Sequence, residues 1–372
     1  MSDSPQAKGQ APTLQEELGV VRSEIDALDT QLLEILSQRA RCAQKVGEIK
    51  ARHGDAGFIY RPEREAQVLR RLQELNKGPL PSENVTLLFR EVMSACLSLE
   101  QPLSIAFLGP LGSFTGSAAT KHFGHAARLL PQNSIDDVFR EVEAGHAHYA
   151  VVPVENSTEG AVGRSMDLLF STPLKICGEV ILRIHQNLMT REVSLDKVTK
   201  VYSHAQSLAQ CHEWLNRNLP NVPRISVGSN SQAAELAMQE DGAAAIAGVA
   251  AAERFQVPIL IGNIEDEPNN TTRFLVLGRF DAGVSGRDKT SLIMSAPNRT
   301  GSLHGLLVPL SDGGVSMTRL ESRPARHTLW DYVFFVDIDG HREDPKVAKA
   351  LLELEQRAAY LKVLGSYPAA VY

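Results

Sequence analysis

Along the first amphipathic stretch, Leu14, Leu18, Val21, Ile25, Leu28, Leu32 and Ile35 recur at steps of three and four. The same walk then lands on Arg39 before it returns to Cys42, Val46 and Ile49. A guanidinium at a position reserved for an apolar side chain snorkels, pairs with an acid, or meets an acidic ligand. Lys50 follows at a separation that returns to about 20° of Arg39's direction on an ideal helix, so the two cations share a face. Further on, Val92 and Cys96 define a line whose next member is Glu100. Leaving such charges buried without partners costs about several kcal/mol each, so a structural ion pair or a small dianion must neutralise them. Cys42, Cys96, Cys177 and Cys211 lie far apart with no paired spacing, which points to free thiols and to no metal site.

A second set of polar residues lies at the ends of apolar runs. LGPLGSFT (108–115) is a strand-to-helix glycine turn. It lacks the Gly-Lys-Ser/Thr of a phosphate loop and the spacing of a dinucleotide fingerprint. Ser113, Thr115 and the backbone N–H groups suit a carboxylate at a helix N-terminus. VVPVENSTEG (151–160) carries Glu155, Asn156, Ser157 and Thr158, and reads equally as a turn cluster. YSHAQS (202–207) and NNTTRFLVLGR (269–279) place polar groups at two more strand ends. In open α/β lobes such ends surround ligand crevices. Near the C-terminus, SAPNRTGSLHGLLVPL and SMTRLESRP put a glycine before a helix, where it caps the helix or receives an amino-acid carboxylate.

These residues need elements to hold them. An unbroken helix from Leu14 to Lys50 is about 55 Å long and cannot bury its own stripe. After a turn over 53–60, Pro62 opens a second helix, and Pro81-Ser82-Glu83 starts a third with Val85, Leu88, Val92 and Cys96 inward. One overlong helix among three predicts an intertwined dimer sharing one core. From Pro102 the period changes: short apolar strands alternate with helices to about residue 280, which predicts a two-lobed α/β domain. DAGVSGR (281–287) reads as a linker, and 288–372 as a βαββαβ ferredoxin-like domain. Residues 1–11 read as a disordered tail, 12–101 as the helical domain and 103–280 as the α/β domain. The chain has 372 residues and a net charge of -6, which argues against nucleic-acid and anionic-membrane partners. No apolar stretch is long enough to span a membrane and the polar start resembles no signal peptide, so a cytoplasmic chain is expected.

VRSEIDALDTQLLEILSQRARCAQKVGEIK with YRPERE resembles the all-helical chorismate mutases at the front of bifunctional aromatic-biosynthesis enzymes. The resemblance implies that Arg22 (from a partner subunit), Arg39 and Arg64 contact substrate carboxylates. It implies that Lys50 and residue 100 donate to the breaking ether oxygen, and that Glu65 holds the ring hydroxyl. Cys96 falls at a substrate-side position where Ser is common. Gln is common at position 100 and an acid at Arg61. Glu100 donates only when protonated, so a raised pKa and a mutase rate that falls with rising pH are expected. The rearrangement is intramolecular and needs positioning and electrostatics, with no nucleophile or cofactor.

GPLGSFT, PVENSTEG, YSHAQS and TTRF together resemble prephenate dehydratase, which implies a two-lobed domain of periplasmic-binding-protein-like type. By that resemblance Thr272 is the principal catalytic residue, and Ser113, Thr115, Asn156, Ser157, Thr158 and Gln206 shape the pocket. Arg273 is either a substrate-carboxylate ligand or structural. The reaction loses CO2 and the ring hydroxyl, so the enzyme must bind carboxylates and donate a proton to the departing group. The C-terminal motifs resemble the ACT domain that follows prephenate dehydratase, and Ser302 replaces a common Ala. That implies a phenylalanine site between subunits formed by Gly301, Ser302, Leu303, Glu321, Ser322, Arg323 and Pro324. The whole resembles the bifunctional chorismate mutase/prephenate dehydratase (P-protein) family. It implies chorismate and prephenate as substrates, phenylalanine as feedback effector, a homodimer or higher oligomer, and no cofactor. The competing expectations are an amino-acid sensor built on a solute-binding module, a mutase fused to a dehydrogenase, and a dehydratase preferring arogenate. The missing dinucleotide fingerprint counts against the dehydrogenase.

Overall fold

The computed structural model describes residues 13–53, 60–296, 299–324 and 332–371. The expected tail and most of the expected turn over 53–60 lie outside them. The chain divides into two bodies, one ending at Gly57 and one beginning at Phe58.

The first body is the single helix α1 (Leu14–Arg52), 39 residues long. Thr13 caps it in a reciprocal box with Glu16, and Lys50 and Arg52 sit in its last turn, where cations oppose the helix dipole. None of its residues is buried. Leu28 is 61% exposed and Leu32 54%, so the apolar stripe is real and uncovered within one chain.

The second body opens with α2 (Pro62–Leu75), with proline in its first turn as expected, and α3 (Ser82–Ser98). The predicted inner face of α3 is corrected in part: Cys96 is buried as expected, and Val85 and Val92 are half-buried. Thr86, Arg90, Ser94 and Cys96 are buried, whereas Leu88 is 58% exposed. At Ser94 the polar stripe packs closely, since a Cβ on Gly124 would lie 2.5 Å from the Cβ of Ser94, and Arg90 and Thr86 turn inward to Glu65 and Gln73. Glu100 lies past the helix, in a turn closed by its N–H to Leu97 O (3.0 Å).

A first sheet contains β1 (Ser104–Leu108), β2 (Arg128–Gln132), β3 (Tyr149–Asn156), β4 (Gly160–Ala161), β5 (Lys175–Arg183) and, later in the chain, β11 (Thr271–Gly278). Its order is β2-β1-β3-β11-β5, with β4 on β3. Helices α4 (Phe114–Phe123), α5 (Ile135–Glu143) and α6 (Gly163–Ser171) cover it. Between β5 and β11 the chain builds a second sheet from β6 (Asn187–Thr190), β7 (Lys200–Ser203), β8 (Arg224–Ser226), β9 (Ala243–Ala247) and β10 (Ile259–Ile261). The order is β10-β6-β9-β7-β8, packed with α7 (Ala205–Gln210), α8 (His212–Asn218), α9 (Asn230–Gln239) and α10 (Val249–Phe255). The second lobe is thus an insertion entered and left by two crossings, stitched by Ile184 N–H to Asn270 O and Ile264 N–H to Gln186 O, each 2.8 Å. Strands β2, β4, β6 and β10 are additions to the strands expected from sequence.

The third sheet, β13 (Met317–Pro324), β14 (Tyr332–Asp339), β12 (Asp288–Ser295) and β15 (Tyr360–Pro368), is antiparallel in that order. With α11 (Ser302–Asp312) and α12 (Pro345–Arg357) it makes the expected βαββαβ pattern. Its helices cover one face, around Leu292, Met294, Leu306 and Leu354. Ile293, Phe335 and Leu364 on the other face share a core with Val152, Val154 and Leu275 of the first sheet. The linker is pinned: Arg70 of α2 donates to Ser285 O (3.1 Å), Arg287 O (2.8 Å) and Ala369 O (3.3 Å).

Candidate active sites

The carboxyl ends of β1 and β3 share one edge of the first sheet, because the strands run parallel. The chain after each reaches the second lobe. Ser231 Oγ donates to Leu111 O (3.0 Å), and Gln210 Nε2 donates to Glu159 Oε1 (3.1 Å). The segments that follow β1 and β3 therefore lie at the seam between the lobes, the place where open α/β folds hold ligands.

At its centre Asn156 and Thr272 stand opposite each other on antiparallel strands, and the register shifts between Arg273 and Phe274. The shift is a β-bulge with Val154 and Glu155 both facing Arg273. Regular alternation would turn Asn156 to the face of Val154, away from Thr272. The extra residue re-aims it. Asn156 Nδ2 donates to Thr272 Oγ1 (2.9 Å) and to Asn270 Oδ1 (2.8 Å). Its Oδ1 accepts from the N–H groups of Thr158 (3.0 Å) and Glu159 (3.2 Å) and from Thr158 Oγ1 (2.6 Å). Backbone N–H groups only donate, so the amide orientation is settled. Thr272 therefore receives a hydrogen bond on a lone pair and keeps its own proton for another acceptor. Ser157 braces the same strand pair, with its Oγ accepting from Thr271 N–H (2.9 Å). Thr272 and Asn156 are buried, and Ser157 and Thr158 are exposed at the rim.

Ser113 is the N-cap of α4, accepting from Gly116 N–H (3.2 Å), and Thr115 is buried in its first turn. Gln206 is exposed, and its N–H bonds His204 Nδ1 (3.3 Å). Tyr202, Ser203 and Ser207 are the buried members of that motif, and Ser207 is held by Gln186 Nε2 (3.0 Å) and Asn230 Nδ2 (2.9 Å). Sequence reasoning missed these two partners. It placed Asn270 at the strand end without giving it a role; this residue is 1% exposed, and its Nδ2 has no hydrogen-bond partner among the described residues. The doubled asparagine of NNTTRF was its only signal.

Arg273 faces the other way. Its Nε donates to Glu179 Oε2 (2.9 Å), Nη1 to Asp337 Oδ2 (2.5 Å) and Nη2 to Tyr367 Oη (2.9 Å). The phenol and the two acids around it outweigh the effect of burial and push its pKa above the ordinary arginine value. Of the two roles left open, substrate contact and structural ion pair, its geometry is that of the second, because neighbours on a strand point to opposite faces.

The residues expected at the mutase site divide between the bodies. On α1, Arg22 is exposed, and Arg39 and Lys50 are half-buried. Arg22 lies about 100° around the helix from Arg39 by ideal geometry, so the two address different surfaces. In the second body Arg61 caps α2, Arg64 is exposed and Cys96 is buried. Glu65 is paired with Arg90 at 3.4 Å, and their side chains are 16% and 10% exposed. Burial, offset in part by Arg90, pushes the Glu65 carboxyl up to about 7. The pair lines a pocket with Tyr60, Lys121, His122 and Pro368. There Tyr60 Oη bonds His122 Nε2 (3.0 Å), whose pKa burial and Arg90 push down to about 3. Sequence reasoning missed Arg90, which lies on the polar stripe of α3 that hydrophobicity alone turns outward.

In the third domain Gly301 precedes α11 with φ of 78°, a left-handed conformation that glycine adopts freely, and accepts from Gly305 N–H (2.9 Å). Ser302 and Leu303 are half-buried behind it. Glu321, Ser322, Arg323 and Pro324 end the edge strand β13. Arg323 pairs with Asp167 of α6 at 3.3 Å, and Arg319 on the same strand with Glu155 at 2.8 Å.

Family models match three stretches: chorismate mutase type II over residues 21–101, prephenate dehydratase over 105–282 and the ACT domain over 290–356. The bifunctional chorismate mutase/prephenate dehydratase of Neisseria gonorrhoeae is 54% identical over 96% of this chain and 99% of its own. The enzyme of that name in Pseudomonas aeruginosa is 51% identical over the same shares. Among solved structures, the prephenate dehydratase of Arthrobacter aurescens in complex with L-Phe superposes with a TM-score of 0.66 at 32% identity. It covers 72% of this chain and 90% of its own. No helix among the described residues is long and apolar enough to cross a membrane.

Proposed function

The chain belongs to the bifunctional chorismate mutase/prephenate dehydratases, and we propose how its residues divide the two reactions. It rearranges chorismate to prephenate and converts prephenate to phenylpyruvate, and it ends in an ACT domain. The sensor reading is not favoured. In the dehydratase step Thr272 is the proton donor. The observation that carries this is the Asn156 amide, which occupies a lone pair of Thr272 Oγ1 and leaves the hydroxyl proton for the departing ring hydroxyl. Threonine is a weak acid, so it acts as an aimed hydrogen-bond donor, and aromatisation with loss of CO2 supplies the driving force. The buried Nδ2 of Asn270 is a second donor beside it, and a substrate oxygen would satisfy it. Ser113, Thr115 and the N-terminus of α4 suit a carboxylate, with Ser157, Thr158 and Gln206 at the rim.

For the mutase step, Arg39, Arg64 and Arg22 of the partner subunit clamp the carboxylates, Lys50 and Glu100 address the ether oxygen, and Cys96 lies at the substrate side. Glu65, whose Oε1 is paired with Arg90, would accept from the ring hydroxyl. Comparing pH–rate profiles of wild type and Glu100→Gln tests the assignment of Glu100. A cytoplasmic homodimer fits the uncovered stripe of α1, which a second copy would bury. Phenylalanine is the effector that suits the ACT domain, at Gly301–Leu303 and Glu321–Pro324 between subunits. The structure solved with L-Phe belongs to a relative, and lends support. The direct test is incubation with chorismate and no added cofactor. Phenylpyruvate is expected, and dehydratase activity should fall sigmoidally with phenylalanine. Prephenate as the only product refutes the second activity.

A further inference from the structure

One peptide away from the catalytic pair, the strands turn a second pair of side chains to the opposite face. Arg273 and Glu155 are register partners there, as Thr272 and Asn156 are on the crevice side. The regulatory sheet lies against that face and supplies a partner for each: Asp337 of β14 hydrogen-bonds Arg273 at 2.5 Å, and Arg319 of β13 forms an ion pair with Glu155 at 2.8 Å whose geometry makes no hydrogen bond. Glu179 of β5 completes the cluster, accepting from Arg273 (2.9 Å) and from Lys289 of β12 (2.8 Å). Ser291 Oγ donates to Asp337 Oδ1 (2.5 Å) and accepts from Tyr367 Oη (2.7 Å).

Docking the two domains does not require this cluster. Val152, Val154 and Leu275 already pack on Ile293, Phe335 and Leu364. Buried ion pairs contribute little net stability compared with apolar residues of similar size. What the cluster does that an apolar patch would not is fix the two side chains that flank the β-bulge. A void lined by Val154, Arg273, Arg319 and Asp337 lies beside them, so packing alone leaves the bulge room to shift. We propose that Arg273 and Glu155 are positioning residues, gripped from the regulatory sheet by Asp337 and Arg319, and that this grip holds the bulge that aims Asn156 at Thr272. The inference rests on reading Thr272 as the proton donor.

The test uses the full-length enzyme, with prephenate as substrate and mutase activity as an internal control. Asp337→Asn and Glu155→Gln should each lower dehydratase kcat about 10- to 100-fold, the scale of a misplaced catalytic group. KM should stay within about threefold and the mutase rate unchanged, as for loss of an interaction made only in the transition state. Arg273→Lys keeps the charge but loses the planar fork, and should fall with them. Combined with Thr272→Ala, Asp337→Asn should lower the residual rate no further, because coupled residues are non-additive. Glu155 is partly exposed, so Glu155→Gln decides alone if Asp337→Asn does not fold. Wild-type kcat in folded Glu155→Gln overturns the proposal, as does a loss that tracks thermal stability and falls equally on the mutase. Full activity in Thr272→Ala would instead refute the site reading on which it rests.

Discussion

Replacing Asn156 with aspartate changes one group of the side chain and inverts the hydrogen bond at the heart of the dehydratase site. The asparagine oxygen that accepts from Thr158 and Glu159 N–H is retained, so the turn should hold. The nitrogen that donates to Thr272 Oγ1 at 2.9 Å becomes a carboxylate oxygen. Thr272 would then donate to the new carboxylate instead of to substrate. A hydrogen bond to a charged acceptor contributes about 1.5–3 kcal/mol, which must be given up before the proton can serve the departing hydroxyl. At about 1.4 kcal/mol per tenfold, kcat falls about 10- to 150-fold. Asn156→Ala, which frees the hydroxyl to rotate without capturing it, should lose less. Initial rates of phenylpyruvate formation from prephenate measure the effect, with mutase activity of the same sample reporting folding. A kcat within about twofold of wild type for Asn156→Asp would refute the idea that the amide directs the Thr272 proton, since even the weakest such bond predicts more.

Leu28→Asp places a charge on the uncovered stripe of α1, 61% exposed in one chain, and should dissociate the oligomer in sedimentation and abolish mutase activity. An unchanged mass would show that another surface joins the copies. Glu65 should make stability pH-dependent: its folded carboxyl titrates near 7, above the unfolded value, so the folded state holds more protons between about pH 4.5 and 7. Stability should therefore fall by roughly 1–3 kcal/mol as pH rises through that window and level off above it. Denaturant titrations should show that slope in wild type and not in Glu65→Gln, and equal slopes would contradict it. Gly365→Ala would put a Cβ 2.2 Å from Ile176 O, where β15 crosses β5. Melting curves should show a loss of about 1–3 kcal/mol, and an unshifted Tm would mean that the sheets are not pressed together there.

Where one period dominates, the sequence is readable. The stripe of α1 and the strand–helix alternation survive intact because they depend only on local spacing. The face of α3 does not, for a physical reason. Hydrophobicity marks which stripe of a helix seeks cover, but Ser94 is inward through close approach to Gly124, Arg90 through bonds to Glu65 and Lys121 O, and Thr86 through a bond from Gln73, all contacts far from α3's own spacing. The strand ends that form the dehydratase crevice are legible as polar clusters, yet their geometry is not. Asn156 meets Thr272 only because a bulge breaks the alternation, and Arg273 faces the regulatory sheet by the same parity. Asn270 is invisible as a partner because its bond to Asn156 spans 114 positions. Strand β2 escapes the reading because Pro131 marks its run as an edge or a loop, and in the structure it is an edge strand.

One chain carries two chemistries, and the proposed reading makes the second depend on the Thr272 hydroxyl and leaves the first independent of it. Feeding chorismate to Thr272→Ala and following both products separates them in a single assay. Prephenate should accumulate at the wild-type mutase rate, with phenylpyruvate formation lost. Phenylpyruvate at an undiminished rate, or loss of both activities in a folded protein, would contradict that division.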